Sequence, residues 1–256
     1  MRRITVRRTA IAASAMSLAL LAGACGSKES EAKDEPKAKA SAGAPAAPAG
    51  KALSQAELEK LALAESDLPG LKVAGATKAD TESTKTMGSD KAECKPLVDV
   101  MAMRGAGKPG ATVTRKAMKM PAKPAEGASA EEKMKAGLGA LGTTVTAATL
   151  GSHDGQGAAD AIAAVKKAGA ACAGGFVMTA DGEKTKFTKV EPLSLTAGDE
   201  SVAFTFAMEV EGGDAATTHM VVARKGGTVA SFYALSLAGK AEQPKDVVDA
   251  QMKKLG

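Results

Sequence analysis

The side chains that could do chemistry in this chain are few, and their spacing argues against catalysis. It holds two histidines, His153 and His219. His153 stands in Ser152-His153-Asp154. A hydrolytic triad draws its members from separated segments that converge, not from sequence neighbours, so the run reads as a loop before a helix capped by Asp154. His219 falls mid-strand among Thr217, Thr218 and Met220, where a surface or partly packed imidazole is expected rather than a general base. Two scattered histidines and no CxxC leave no metal-ligand cluster. No GxSxG, SxxK or phosphate-loop pattern occurs. Asp199-Glu200 reads as a turn between strands, with weak cation binding as its alternative. The expectation is a protein that is not an enzyme, with no catalytic residue, no cofactor and no metal site.

Three cysteines carry what chemistry remains. Ahead of Cys25, Arg2, Arg3, Arg7 and Arg8 form a basic opening with no acidic residue before Glu29. Residues 10–21 are apolar except for Ser14 and Ser17. That run is about a dozen residues, against roughly 20 for a membrane-spanning helix. A basic start, a short apolar run and small residues read as a secretory signal. Leu21-Ala22-Gly23-Ala24-Cys25 resembles the lipobox of bacterial lipoproteins, where small residues precede a cysteine that takes a diacylglyceryl group before cleavage. The usual leucine sits three residues before the cysteine; here Ala22 holds that place and Leu21 is one further back. The expectation is a signal peptide over 1–24 and a lipidated Cys25 at the extracytoplasmic face of the cell membrane. Two acyl chains, at about 0.8 kcal/mol per buried CH₂, hold a protein that one chain holds only marginally.

Export leaves Cys94 and Cys172 in an oxidising setting, where an even pair is read as a disulfide. The bridge would span 78 residues, and chain entropy assigns a loop of that size about 4–5 kcal/mol. Two separate buried thiols are the alternative.

Charge excludes one class of partner. The formal charge is +5. Without the four leader arginines, 30 basic residues face 29 acidic ones, which gives no electrostatic ground for nucleic-acid binding. Residues 26–51 are Ala, Lys, Glu, Pro, Ser and Gly with the single Asp34, too poor in apolar surface to offset their ordering entropy. After Cys25 they are expected to form a disordered tether with a root-mean-square reach of roughly 25–30 Å. Residues 52–256 are long enough for one folded domain.

Within that domain, Ser54-Gln55-Ala56-Glu57 is a capping box. It opens a helix with Leu58, Leu61 and Ala62 on its apolar side, stopped by Pro69-Gly70. A short strand follows at 71–73. A helix from Asp90 sets Cys94, Leu97, Val98 and Met101 on one face. Strands at 111–120 and 143–150 flank a loop and a short helix at 130–142, and a helix from Asp154 runs to Ala171. From Phe176 onward the period is two, clearest at Val202, Phe204, Phe206 and Met208. Similar runs fall at 185–191, 217–224 and 227–235, with glycine turns at Gly212-Gly213 and Gly226-Gly227. All six aromatic residues lie in this last third, and a closing helix begins at Pro244. The fold class is α+β, an antiparallel sheet flanked by helices.

Several short motifs share one order: Asp67-Leu68-Pro69-Gly70, Ala92-Glu93-Cys94-Lys95-Pro96-Leu97, Cys172-Ala173-Gly174-Gly175-Phe176, Gly198-Asp199-Glu200, and a last helix with Gln251 and Leu255. In this the chain resembles the actinobacterial lipoproteins related to the extracellular sensor domain of PknH-type kinases. The resemblance implies a twisted antiparallel sheet flanked by helices and a cleft presumed to bind a ligand. It departs in two respects: this chain can form one disulfide rather than two, and Ala170 and Ala171 stand where a tryptophan is often found. The functional expectation is a non-enzymatic, membrane-anchored ligand-binding or sensor-like domain whose small-molecule, lipid or protein ligand is unknown. A lipid or glycolipid carrier is the alternative.

Overall fold

The computed structural model describes residues 51–120, 124–209, 216–237 and 239–256. Cys25, the expected leader, nearly all of the expected tether, the Gly212-Gly213 turn and the start of the 121–129 loop lie outside these residues.

The strongest local signal is alternation, and it builds the sheet. Among the described residues nine strands, β1 (Leu71–Gly75), β2 (Gly88–Ser89), β3 (Ala111–Lys119), β4 (Thr144–Ser152), β5 (Phe176–Ala180), β6 (Glu183–Pro192), β7 (Glu200–Met208), β8 (Ala216–Lys225) and β9 (Thr228–Ser236), form one sheet. Their order is β1-β3-β4-β9-β8-β7-β6-β5-β2, with every neighbouring pair antiparallel. Turn chemistry sets the register locally. Asp181-Gly182 joins β5 to β6 with both residues at positive φ (50° and 86°), the two-residue turn that Asp-Gly favours. Gly226-Gly227 joins β8 to β9 in the same two-residue way.

The helices are α1 (Gln55–Leu61), α2 (Lys78–Ser83), α3 (Lys95–Met101), α4 (Ala130–Leu141), α5 (Gly157–Ala171) and α6 (Lys245–Leu255). Because side chains alternate across a strand, the sheet has two apolar faces. On one, Phe204, Phe206, Met220 and Tyr233 meet Leu97, Val98, Ile162 and Val165 of α3 and α5. Phe176, Phe187 and Phe206 stack or meet edge to face there. Gly169 is where α5 comes closest to the sheet, since a Cβ at that position would overlap the Phe204 ring. On the other face, Val221, Phe232, Leu150 and Val113 meet Leu58 of α1 and Val247 and Val248 of α6.

Three expected elements differ in extent or capping from the sequence reading, and two unexpected ones, α2 and β2, are added. The first helix stops at Leu61, and a 3₁₀ turn at Glu65–Asp67 intervenes before Pro69. The Asp90 segment begins as a 3₁₀ turn at Ala92–Cys94 before α3. Asp154 does not cap α5, whose N-cap Gln156 makes no side-chain cap bond. Asp154 instead accepts the Ala52 N–H at 2.9 Å, fastening the start of the domain.

Candidate functional site

The chemically distinctive side chains are drawn into structural roles. Cys94 and Cys172 form a disulfide with Cα atoms 5.9 Å apart, joining the start of α3 to the end of α5, and both are fully buried. His219 is buried, not at the surface, because the segment around Ala241 folds over it, a contact that its neighbours along the chain do not announce. Its Nε2 lies 3.1 Å from the Ala241 carbonyl and its Nδ1 3.0 Å from Thr205 Oγ1. A carbonyl only accepts, so Nε2 carries the proton and Nδ1 accepts from the threonine. His153 is buried beside Gly157 at the start of α5, and its Nε2 has no partner. Burial lowers the pKa of both rings and keeps them neutral. His153 follows the end of β4 beside α5, whereas His219 lies within β8 on the opposite face, and among the described residues no carboxylate bonds either ring. Asp199 accepts the Gly226 N–H at 2.8 Å, the bond that most lowers its pKa, and lies near Lys225 and Arg224. It is committed to the β8–β9 turn.

Among the described residues no three His, Cys, Asp or Glu side chains gather closely enough to hold a metal ion. No helix among them is long and apolar enough to cross a membrane.

The site with open capacity lies elsewhere, in a cavity of about 360 Å³ at the β1-β3-β4 end of the second face. Its floor is Leu71, Ala117, Thr144 and Thr146, from three adjacent strands. One wall is the segment Glu242–Gln243–Pro244 leading into α6, with Asp246 and Val247 of its first turn. Gly139 of α4 and Gly142 close the opposite side, and Lys119 stands at the rim. The Glu242 N–H donates to Thr144 Oγ1 at 2.8 Å, pinning that wall to the floor. Thr146 as a residue is only 3 % exposed, but its hydroxyl keeps access to the cavity it lines and bonds no other described residue. Lys119, Glu242 and Asp246 likewise enter no salt bridge among these residues. The cavity therefore combines a helix N-terminus, a cation, two carboxylates and the Gln243 amide above a floor that is half apolar and half threonine. No histidine, cysteine or serine lines it. Such a mixture fits a compact polar ligand, and the volume lies near the lower end of the roughly 300–1,000 Å³ usual for small-molecule sites.

Sequence reasoning missed this site because its residues are chemically ordinary and lie far apart along the chain. The one local signal was Pro244 ahead of an amphipathic helix, which marks a helix start without indicating a ligand.

Among solved structures, the crystal structure of the extracellular domain of PknH from Mycobacterium tuberculosis matches this fold. The TM-score is 0.50 at 9% sequence identity, over 80% of this chain and 97% of that one. At that identity the likeness is one of fold. No protein-family model matches the chain, and no curated protein matches it.

Proposed function

We propose that this protein is a lipid-anchored, extracytoplasmic binding domain that takes up a compact polar ligand in the cavity beside the α6 N-terminus and performs no catalysis. The observation that carries the reading is Thr146. Its hydroxyl is open to the cavity and bonds no other described residue, so a ligand there can take it as donor or acceptor. Lys119, Glu242, Asp246 and Gln243 supply further donors and acceptors around it. Anchoring rests on the Cys25 lipobox and the short leader before it. The cavity is small and half polar in character, which supports a compact ligand over the acyl chains of a lipid carrier.

Native mass spectrometry of protein purified from the membranes in which it matures tests the binding reading. A co-purified small molecule that is lost in Thr146→Val is the expected result. Protein free of any bound molecule, with thermal stability unmoved by a screen of sugars, amino acids and nucleosides, refutes it. For the anchor, the Cys25→Ser variant is expected in the medium or as uncleaved precursor. Lipidated mature protein from that variant refutes the anchor.

A further inference from the structure

His153 occupies the turn that fastens the first described residues to the sheet. Alternation along a strand sends neighbouring side chains to opposite faces, and Ser152-His153-Asp154 continues the alternation of β4. Ser152 Oγ accepts the Leu53 N–H at 2.6 Å, and Asp154 Oδ1 accepts the Ala52 N–H at 2.9 Å. Between these two grips the His153 ring points the other way, toward α5, and the residue is 2 % exposed. Its backbone N–H donates to the Gly227 carbonyl at 2.9 Å.

The ring sits in a socket made of residues without side chains. A Cβ at Gly107 would come within 3.3 Å of the ring, one at Gly151 within 3.5 Å of Nε2, and one at Gly157 within 3.2 Å of the His153 Cβ. Backbone closes around the imidazole, and Nε2 has no hydrogen-bond partner there. A neutral ring leaves one polar atom unmet in this socket. An imidazolium would leave a buried charge unpaired, which is far more costly.

No charged group among the described residues is placed to compensate. The Asp154 carboxylate is committed to Ala52. Asp199, Arg224 and Lys225, at the turn that carries Gly227, face one another. Lys51 on the incoming segment, Lys108 beside Gly107 and Asp160 on α5 are exposed. Burial alone lowers the pKa of the ring. Beyond the turn, Gly155 has φ 55° and open space where a Cβ would stand, so the chain can pivot there without meeting a neighbour.

We infer that the 152–154 turn is a pH-operated latch: the neutral His153 ring seats the two side chains that hold Ala52 and Leu53, and its protonation releases them. A protonated ring leaves its socket for water, and the turn that carries it takes Ser152 and Asp154 along. The helix α1 stays in place, because Ser54 and Glu57 cap it by their own reciprocal bonds. Acid therefore moves the start of the hydrogen-bonded domain from Ala52 to the Ser54 cap. The latch depends on neither the anchor nor the cavity.

Amide hydrogen exchange on the intact protein at pH 7.5 and 5.5 tests this. Protection at Ala52 and Leu53, corrected for the intrinsic rate at each pH, is expected to fall about tenfold, since a coupled imidazole shifts an equilibrium by up to about tenfold for each pH unit below roughly 6.5. Both pH values lie above the ordinary carboxylate range, which leaves imidazole as the titrating group. His219→Gln is expected to keep the fall, and His153→Gln, whose amide does not titrate, to abolish it. If His153→Gln does not fold, the imidazole resonances of the wild-type ring decide: His153 must take up its proton over the range in which Ala52 and Leu53 lose protection. Protection that is equal at the two pH values overturns the proposal. So does a fall that His153→Gln retains, or a His153 ring that titrates with no change at Ala52 and Leu53. Ala52 and Leu53 amides that exchange no faster than those of β9 also overturn it, because the segment then opens only with the whole fold.

Discussion

The two faces of the sheet are packed by different means. The α3–α5 face is aromatic, closed by a disulfide, and so tight that α5 needs a glycine over Phe204. The α1–α6 face has one aromatic side chain, Phe232, among aliphatic ones. It is joined by hydrogen bonds that reach across it: the Gln251 amide to the Leu61 carbonyl at 2.8 Å, and His219 to Ala241. It also holds the cavity beside the α6 N-terminus. Covalent and close-packed contacts fill one layer, and polar ties leave room in the other. A close-packed layer and a more open one share the sheet, so the cavity lies apart from the aromatic core that holds the domain together.

The sharpest way to break this contrast is Gly169→Val. Its side chain has no room beside Phe204, and the variant is expected to lose about 4 kcal/mol or to fail to fold; a urea midpoint within error of wild type contradicts the tight-face account. Next comes the double variant Cys94→Ala/Cys172→Ala, with an expected loss of about 3 kcal/mol from release of the 78-residue loop. Chemical denaturation of oxidised and reduced protein measures the same quantity, and equal midpoints would show that the bridge adds nothing.

On the yielding face, Gln251→Leu keeps the volume and removes the donor to the Leu61 carbonyl. Its expected cost is about 1–2 kcal/mol, read from thermal unfolding, with no change in the opposite layer's near-ultraviolet signals from Tyr233. A loss as large as that of Gly169→Val would erase the difference between the faces. The smallest effect is one of pH. Both imidazoles titrate below the ordinary 6.5 because burial disfavours the charged ring. As pH falls below about 6.5 the unfolded chain binds protons that the folded chain refuses, so stability is lost until the folded values are passed. Urea midpoints at pH 7.5 and 5.5 should show the decline, and His219→Gln should reduce it; a flat profile would place these rings in water.

Much of the sheet was legible because alternation is a short-range signal. Val202, Phe204, Phe206 and Met208 announce one strand without reference to any other. The capping box of Ser54 and Glu57 was equally plain, and so was the cysteine pair once export was inferred. α2 was missed although Thr77 and Asp80 cap it by the same chemistry, because Lys78–Ser83 has no buried residue and so no apolar period. β2, two residues long, exists only because β5 lies beside it. Asp154 looked like a cap because the sequence cannot show that Ala52 comes back to claim its carboxylate. The cavity was illegible for the same reason on a larger scale, since Leu71, Ala117, Thr146 and Gln243 become neighbours only after the sheet and α6 are assembled. The outward face of α4, where Met134 and Leu138 are exposed, was hidden by its glycines, which weaken a helical pattern, and no sequence pattern says which side of a helix faces the protein.

The bridge between Cys94 and Cys172 has a consequence for the protein's survival of proteolysis. Everything from α3 to α5, including α4 and the segment before it, lies inside the closed loop. A single cut there leaves the two halves covalently joined and both faces of the sheet still assembled, so a nicked molecule stays in place. Release of fragments requires a second cut outside the loop or a reductant.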